Sequence, residues 1–556
     1  MRRKIFVLAV LLVAEFCAAD RGRKKEKTSE KSSVKTDSEK EDDGIKKAYP
    51  LLHKEVVVVG AGIAGLAAAR RISKDRSNFT VTVYEAQKNR YGGRVWTDKL
   101  TNMKAKGVEV DLGSSAFNVI SKNNPLLELA EDFELKTSSI EGLQFIIPWE
   151  GKVYSGSDIQ DITKEAGQIL NQALNESKSW KFEPSVREAV DKVLHDDFSS
   201  ESTGSHLVKC LPSYVIKDYS TRHYRPELLD MGYEKVLLDG TGELLDRLVS
   251  GSSEEPPLHL QLNKAVRQIK FDNSKGKVII RFRDGSQRQT DVVVVAVPLS
   301  IIASQDIMFE PDLPKNYQVA VSEMGVLTSN KLILEFESAF WPSDFGVFLR
   351  AVQEDQDRGY MQSWINIHRL VGLPVLTTFV MGDSAIGFEK MTDDDIKQSA
   401  LDVLIEMFGK DTVSKGGDVV RLQRSQWVTE EFSKGSHTYS KVGTTPELWE
   451  TLSEPLCPGV YFVGEHTSLG EHGTLHGAYN SGIRAGDQIL SRYCEKKMEE
   501  EERRREEARR KEAERKKKEN GGGANASEER ATKEVSLEDD DDVVTEEESD
   551  ERKDEL

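Results

Sequence analysis

The stretch KEVVVVGAGIAGLAAARRISKDRSNFTVTVYEA, Lys54 to Ala86, decides the fold. Val56–Val59 is a run of four β-branched residues, short enough for a buried parallel strand. It runs directly into Gly60-Ala61-Gly62-Ile63-Ala64-Gly65. Leu66 to Ile72 reads as a helix, and a second strand, Thr80–Tyr84, ends on Glu85. Each piece has a physical task. Gly60 lets the chain turn sharply, Gly62 lets backbone approach a pyrophosphate, and Gly65 lets helix and strand pack closely. The helix N-terminus offers unpaired N–H groups and the positive end of its dipole to phosphates. Glu85 is placed to accept hydrogen bonds from a ribose. A bare GxGxxG is a weak signal, but strand, glycines, helix, strand and acid occur here in order. The expectation is an adenine dinucleotide site.

Further motifs follow in sequence. Tyr91-Gly92-Gly93-Arg94 puts two adjacent glycines beside an arginine able to pair with a pyrophosphate through both arms of its fork. Asp111-Leu112-Gly113-Ser114-Ser115 comes next. Ser329 to Phe336 reads as a strand and leads to Phe340-Trp341-Pro342. Its alternation puts Lys331, Ile333 and Glu335 on one face and Leu332, Leu334 and Phe336 on the other. Trp427, Gly435-Ser436-His437-Thr438, Gly464-Glu465-His466-Thr467 and Gly473-Thr474-Leu475-His476-Gly477-Ala478 close the series.

This order of motifs resembles the flavin-containing amine oxidases. That superfamily holds polyamine and spermine oxidases, monoamine oxidases, L-amino-acid oxidases and lysine-specific histone demethylases. The polyamine oxidases are the nearest likeness. The resemblance implies an α/β fold: a Rossmann-like, two-dinucleotide-binding-domain flavoprotein domain interleaved with an α+β substrate domain. It implies FAD contacts at Gly60, Gly62, Ala64, Gly65, Glu85, Gly93, Arg94, Val266, Trp427, Glu465 and Thr474. Lys331 matches a lysine linked through water to flavin N5 and would be catalytic. Read without the resemblance, a strand lysine is more often a solvated one. Asn118, His437 and Thr474 fall at positions that face the substrate.

The sequence also departs from the family in ways that bear on chemistry. Monoamine oxidases attach FAD through a cysteine, and the matching position here is Ser436, so FAD is expected to be non-covalent. Their two cage tyrosines are replaced by His437 and Thr474. Polyamine oxidases often carry His or Glu where Asn118 stands, and asparagine offers hydrogen bonds but no charge. No arginine in that segment is placed to clamp an α-carboxylate. The implied reaction oxidises a C–N bond of a polyamine with O2, giving aldehyde, amine and hydrogen peroxide. An L-amino-acid or protein-amine oxidase is one alternative. A weakly catalytic flavoprotein with a calcium-buffering acidic tail is another.

The 556 residues suffice for two large cores. Taken with the resemblance, they divide into FAD-binding segments 51–130, 231–304 and 449–494 and substrate segments 131–230 and 305–448. Residues 1–19, basic then apolar then Cys17-Ala18-Ala19, have the form of a secretory leader too short to span a bilayer as a helix. Lys553-Asp554-Glu555-Leu556 is a retention address read by a KDEL-type receptor. Both ends point to the lumen of the endoplasmic reticulum, with no integral membrane segment in the mature chain. Residues 20–50 are polar enough to read as a disordered linker. Residues 495–520 read as a charged helix without an apolar stripe, and 521–556 as a disordered acidic tail. From Glu534 to Leu556 there are 13 Asp and Glu against 2 Lys and Arg, so this segment supplies much of the net charge of −18. That balance argues against nucleic acid as a partner. No cysteine spacing suggests a metal site, and N-glycosylation sequons stand at Asn78, Asn175 and Asn525.

Overall fold

A strand of consecutive valines must be covered on both faces, and the chain meets that demand with a parallel sheet. In a computed structural model, which describes residues 53–100, 108–118, 124–224, 234–253, 255–272 and 276–521, Lys54–Val59 is the central strand of five. The order is His259–Gln261, Phe79–Tyr84, Lys54–Val59, Val292–Val295, Val460–Phe462, and every pairing is parallel. Strand Val292–Val295 is followed by the helix Leu299–Ala303, which Pro298 precedes. The expected leader, linker, Asn525 sequon and acidic tail lie outside the described residues, as does the side chain of Asn118.

Helix Ile63–Ser73 packs on this sheet through alanines that are almost wholly buried. Small residues let a second helix approach it. That helix begins at Leu475, and a Cβ on Gly482 would lie 2.2 Å from the Ala64 carbonyl oxygen. A four-stranded sheet, Gln287–Thr290, Lys277–Phe282, Val266–Asp272 and Met308–Glu310, carries Val266 at its start.

The other large element is a seven-stranded mixed sheet. Its order is Val419–Arg424, Ser329–Phe336, Val375–Met381, Tyr360–Asn366, Val347–Arg350, Leu143–Ile147, Lys152–Tyr154. Leu332, Leu334 and Phe336 pack in one apolar cluster with helix Asp393–Phe408, whereas Ile333 packs with Val110 and Leu112. The period-2 alternation of Ser329–Phe336 is therefore real, but neither face meets solvent. Helices Ser157–Ser177 and Val186–Asp196 share a core with Phe145 and Ile147, and Ser185 and Glu188 form a capping box at the start of the second.

The chain divides into two compact units at Ile489 and Leu490. The helix that opens at Leu475 continues without a break to Gly521, so the charged stretch read as 495–520 is the later part of a longer helix. In the second unit residues 502–515 are exposed on every side, and Arg510 pairs with Glu514 one turn on. Among the described residues no helix is long and apolar enough to cross a membrane.

Candidate active site

A cavity of about 430 Å3 runs from the C-terminal end of the parallel sheet to one face of the seven-stranded sheet. Its first part is built by glycines with different tasks. Gly60 has φ +102°, and a Cβ there would lie 2.6 Å from the Ala296 carbonyl oxygen. A Cβ on Gly65 would lie 2.1 Å from the Gly60 oxygen. These two exist for packing. Gly62 is different: a Cβ there would find nothing nearer than the Gly92 oxygen, 3.9 Å away, and Gly93 is similarly open. Space is left along Gly62 and Gly93, where the helix beginning at Ile63 presents its N-terminus to the cavity.

Glu85 is buried beside that turn. Its carboxylate accepts the Ala61 N–H at 2.8 Å and the Gln87 N–H at 2.9 Å, while burial pushes its pKa up. Each oxygen keeps lone pairs for a further donor. Ala64 and Val266 complete the wall. Helix N-terminus, open glycines and buried acid together suit an adenine dinucleotide.

Arg94 is held in place by protein. Its Nη1 donates to Glu465 Oε1 and to the Ser436 carbonyl oxygen, both at 2.8 Å. The expected fork onto a pyrophosphate is thus replaced, at this nitrogen, by an ion pair. Glu465 also accepts from the Thr438 hydroxyl and, at 2.9 Å, from the Gly473 N–H. Burial alone would raise the Glu465 pKa, but Arg94 and these hydrogen bonds bring it down to about 2.

The DLG segment has two sides. The Asp111 carboxylate turns from the cavity and accepts from the Thr97 hydroxyl, the Thr241 N–H and the Thr241 hydroxyl, capping helix Thr241–Ser250. Leu112 to Ser115 line the cavity. Gly113 is needed because a Cβ would lie 2.2 Å from the Arg94 oxygen.

Lys331 is buried rather than solvated, at 6% exposure. Its Nζ donates to the Asp111 and Gly113 carbonyl oxygens at 2.8 and 2.7 Å and to Ser115 Oγ at 2.9 Å. Phe379, paired with Lys331 across the sheet, sits with its ring centroid 5.7 Å from Nζ. Trp427 is buried edge-on to Trp96, 6.3 Å between ring centroids. His437 packs against Gly473, and burial holds its pKa down to about 4, so the ring is neutral at pH 7. Thr474 stands beside it, but its hydroxyl donates to the Glu471 carbonyl oxygen at 2.6 Å and accepts the Gly477 N–H. Toward a substrate Thr474 has only a lone pair left.

Of the residues expected from sequence, Gly60, Gly62, Ala64, Glu85, Gly93, Arg94, Val266, Lys331, Trp427, Glu465, His437 and Thr474 all line this one cavity. Gly65 lies behind it as packing, and Asn118 carries no described side chain. Sequence reasoning missed Ser363, Ile365, Phe379 and Met381, which line the cavity from the strand paired with that of Lys331 and from the next one along the sheet. Their period-2 spacing was visible, but nothing local marks which face turns to the site.

A sequence profile described as flavin containing amine oxidoreductase matches residues 63–207 and 209–490. Polyamine oxidase 5 of Oryza sativa subsp. japonica is 28% identical over 448 residues, spanning 78% of this chain and 87% of its own length. Polyamine oxidase 1 of Zea mays is 29% identical over 481 residues, spanning 80% of this chain and 91% of its own. The structure of a putrescine oxidase bound to putrescine superposes with a TM-score of 0.62 at 18% identity, over 79% of this chain and 99% of the other. At that identity the last likeness speaks for the fold.

Proposed function

This chain belongs to the flavin-containing amine oxidoreductases and is an FAD-dependent amine oxidase, and from that premise we propose that its substrate is a polyamine, cleaved to an aldehyde and a smaller amine with release of hydrogen peroxide. The observation that carries the reading is the single cavity that joins the dinucleotide end, at Gly62, Gly93 and Glu85, to the wall of Lys331, Phe379 and His437. The relatives named as polyamine oxidases support the substrate class.

Bound in this cavity, FAD supplies the hydride acceptor and, on reoxidation by O2, the source of peroxide. The protein supplies placement and a dry environment. The helix start at Gly62–Ile63 would hold the pyrophosphate, and Glu85 the ribose. Ile365, Phe379 and Met381 line the far end with apolar surface, which disfavours an ammonium and favours the neutral amine with its lone pair. His437, neutral in this setting, can accept an N–H of that amine. Ser436 has no thiol to offer, and its hydroxyl donates to the Leu327 carbonyl oxygen at 2.7 Å, which supports non-covalent FAD.

The test is anaerobic bleaching of the oxidised flavin absorbance by spermine, spermidine, N-acetylated polyamines, monoamines and L-amino acids in turn. Rapid bleaching by polyamines alone, with recovery in air, is expected. Bleaching by L-amino acids instead would overturn the substrate class.

The reading also places the enzyme in the lumen of the endoplasmic reticulum, on the support of the N-terminal leader and Lys553–Leu556. Asn175 is exposed near the end of its helix, whereas the Asn78 amide donates to both oxygens of Asp75, so Asn175 is the better glycan acceptor. Removal of Lys553–Leu556 should send the protein to the medium. Retention of the truncated chain in the cell would count against the address.

A further inference from the structure

The loop between Trp427 and Gly435 is held in two different ways. At its base the Gly435 N–H donates to the Trp427 carbonyl oxygen at 2.7 Å and pinches the two ends together. The buried Glu389 carboxylate accepts from the Val428 and Thr429 N–H groups, both at 2.9 Å, and from the Thr429 hydroxyl at 2.8 Å. Asn330 lies next to Lys331 on its strand. It accepts the Trp427 N–H at 2.9 Å and donates to Glu389 at 2.7 Å. Hydrogen bonds to a carboxylate away from water are the strong kind.

The tip, residues 430–434, is fastened differently. It reaches the FAD-binding part of the chain through groups near the surface. Glu430 accepts from the Gln87 amide, Glu431 pairs with Arg283, and Lys434 pairs with Asp306. The Arg283 guanidinium also lies over the Phe432 ring, 5.4 Å from its centroid. The Glu431 and Arg283 side chains are 61% and 41% exposed. Exposed pairs of this kind contribute little and are screened by salt, so the tip lets go while the base holds.

The place of the tip gives it a task. Glu85 is set for the ribose, and the adenine of a dinucleotide lies beyond it, toward Val266 and Arg283. Phe432 and Ser433 line the cavity at this end. We propose that residues 428–434 form a strap across the adenine end of the FAD site, and that release of its tip from Gln87, Arg283 and Asp306 is the step that lets FAD leave. The inference rests on the FAD site described above and is independent of which amine is oxidised.

The experiment compares wild type, Glu431→Gln, Glu430→Ala and the double variant as full-length holoproteins. Each is diluted until released FAD does not rebind, and the rise in flavin fluorescence is followed at low and high salt. No amine is added. Both substitutions remove negative charge beside an anionic cofactor, so electrostatics alone would slow its release. An unfastened strap should do the reverse: release about 2- to 5-fold faster in each single variant and about 4- to 25-fold faster in the double. Salt should quicken release from wild type and do so less in the double variant. If the double variant does not fold, Glu431→Gln decides, because that pair lies on the surface. Release that is unchanged or slower would overturn the proposal. Release that quickens only in step with a fall in melting temperature would also overturn it, assigning the loop to stability instead. A flavin-loaded enzyme that no polyamine bleaches would overturn only the substrate reading. Wild-type protein without flavin would overturn both.

Discussion

Arg94 Nη1 lies 2.8 Å from Glu465 Oε1, which ties the second glycine segment of the chain to its closing motif across 371 residues. The same carboxylate receives the Thr438 hydroxyl and the Gly473 N–H. One ion pair, its carboxylate buried and its arginine partly exposed, therefore holds together four segments of the cavity wall.

This pair gives a pH prediction. Glu465 has a folded-state pKa of about 2 against an ordinary 4.5, so it is depressed on folding. Its contribution is present above the unfolded value and is lost as pH falls through the folded one. Stability should therefore decline between about pH 4.5 and pH 2, and Glu465→Gln should remove that part of the decline. Arg94→Met leaves the carboxylate buried without its cation and should cost about 3–5 kcal/mol. Denaturant unfolding of both variants and the double variant, followed across that range, checks the coupling.

Gly65 and Gly62 should respond differently to alanine. At Gly65 the new methyl would sit 2.1 Å from the Gly60 oxygen, so Gly65→Ala should destabilise the fold by about 1–3 kcal/mol. At Gly62 the backbone has φ −74° and the methyl enters open space, so Gly62→Ala should fold normally. Its methyl occupies the crevice beside the helix start, and FAD affinity should fall. Melting temperature and flavin content, measured together, separate the two effects.

Lys331→Met removes a charged donor from three oxygens. Charge-assisted hydrogen bonds contribute about 1.5–3 kcal/mol, which corresponds to roughly 10- to 100-fold in a rate if they act in the transition state. Stopped-flow measurement of flavin reduction and of reoxidation should show such a loss in one half-reaction. Unchanged rates in both would show that the lysine serves the loop alone.

Acid precipitation tests the linkage of the cofactor. With serine at position 436, all yellow colour should remain in the supernatant after the protein is precipitated. Colour in the pellet would mean a covalent bond formed elsewhere.

Much of the cofactor half of the site was legible because its signals are local. Val56–Val59, the glycines and Glu85 lie within about 30 residues, and each is required by a backbone property: a positive φ, a close approach or a helix start. Arg94 was read as a pyrophosphate contact; the structure puts it in the cavity wall, but its partner was not legible, because Glu465 is encoded in a distant segment. Lys331 illustrates the same limit. As a residue on an alternating strand it looked solvated, and only the resemblance argued otherwise.

The sequence by itself determined the parallel sheet, the dinucleotide turn and the family, since strand burial and glycine geometry are properties of consecutive residues. Tertiary structure alone decided that the face of Ser329–Phe336 bearing Lys331 closes on Asp111–Ser115, that the Asp111 carboxylate turns instead to Thr241, and that Arg94 meets Glu465. These contacts join segments more than a hundred residues apart. Their partners are chosen by how the two sheets pack, and no local periodicity records that choice.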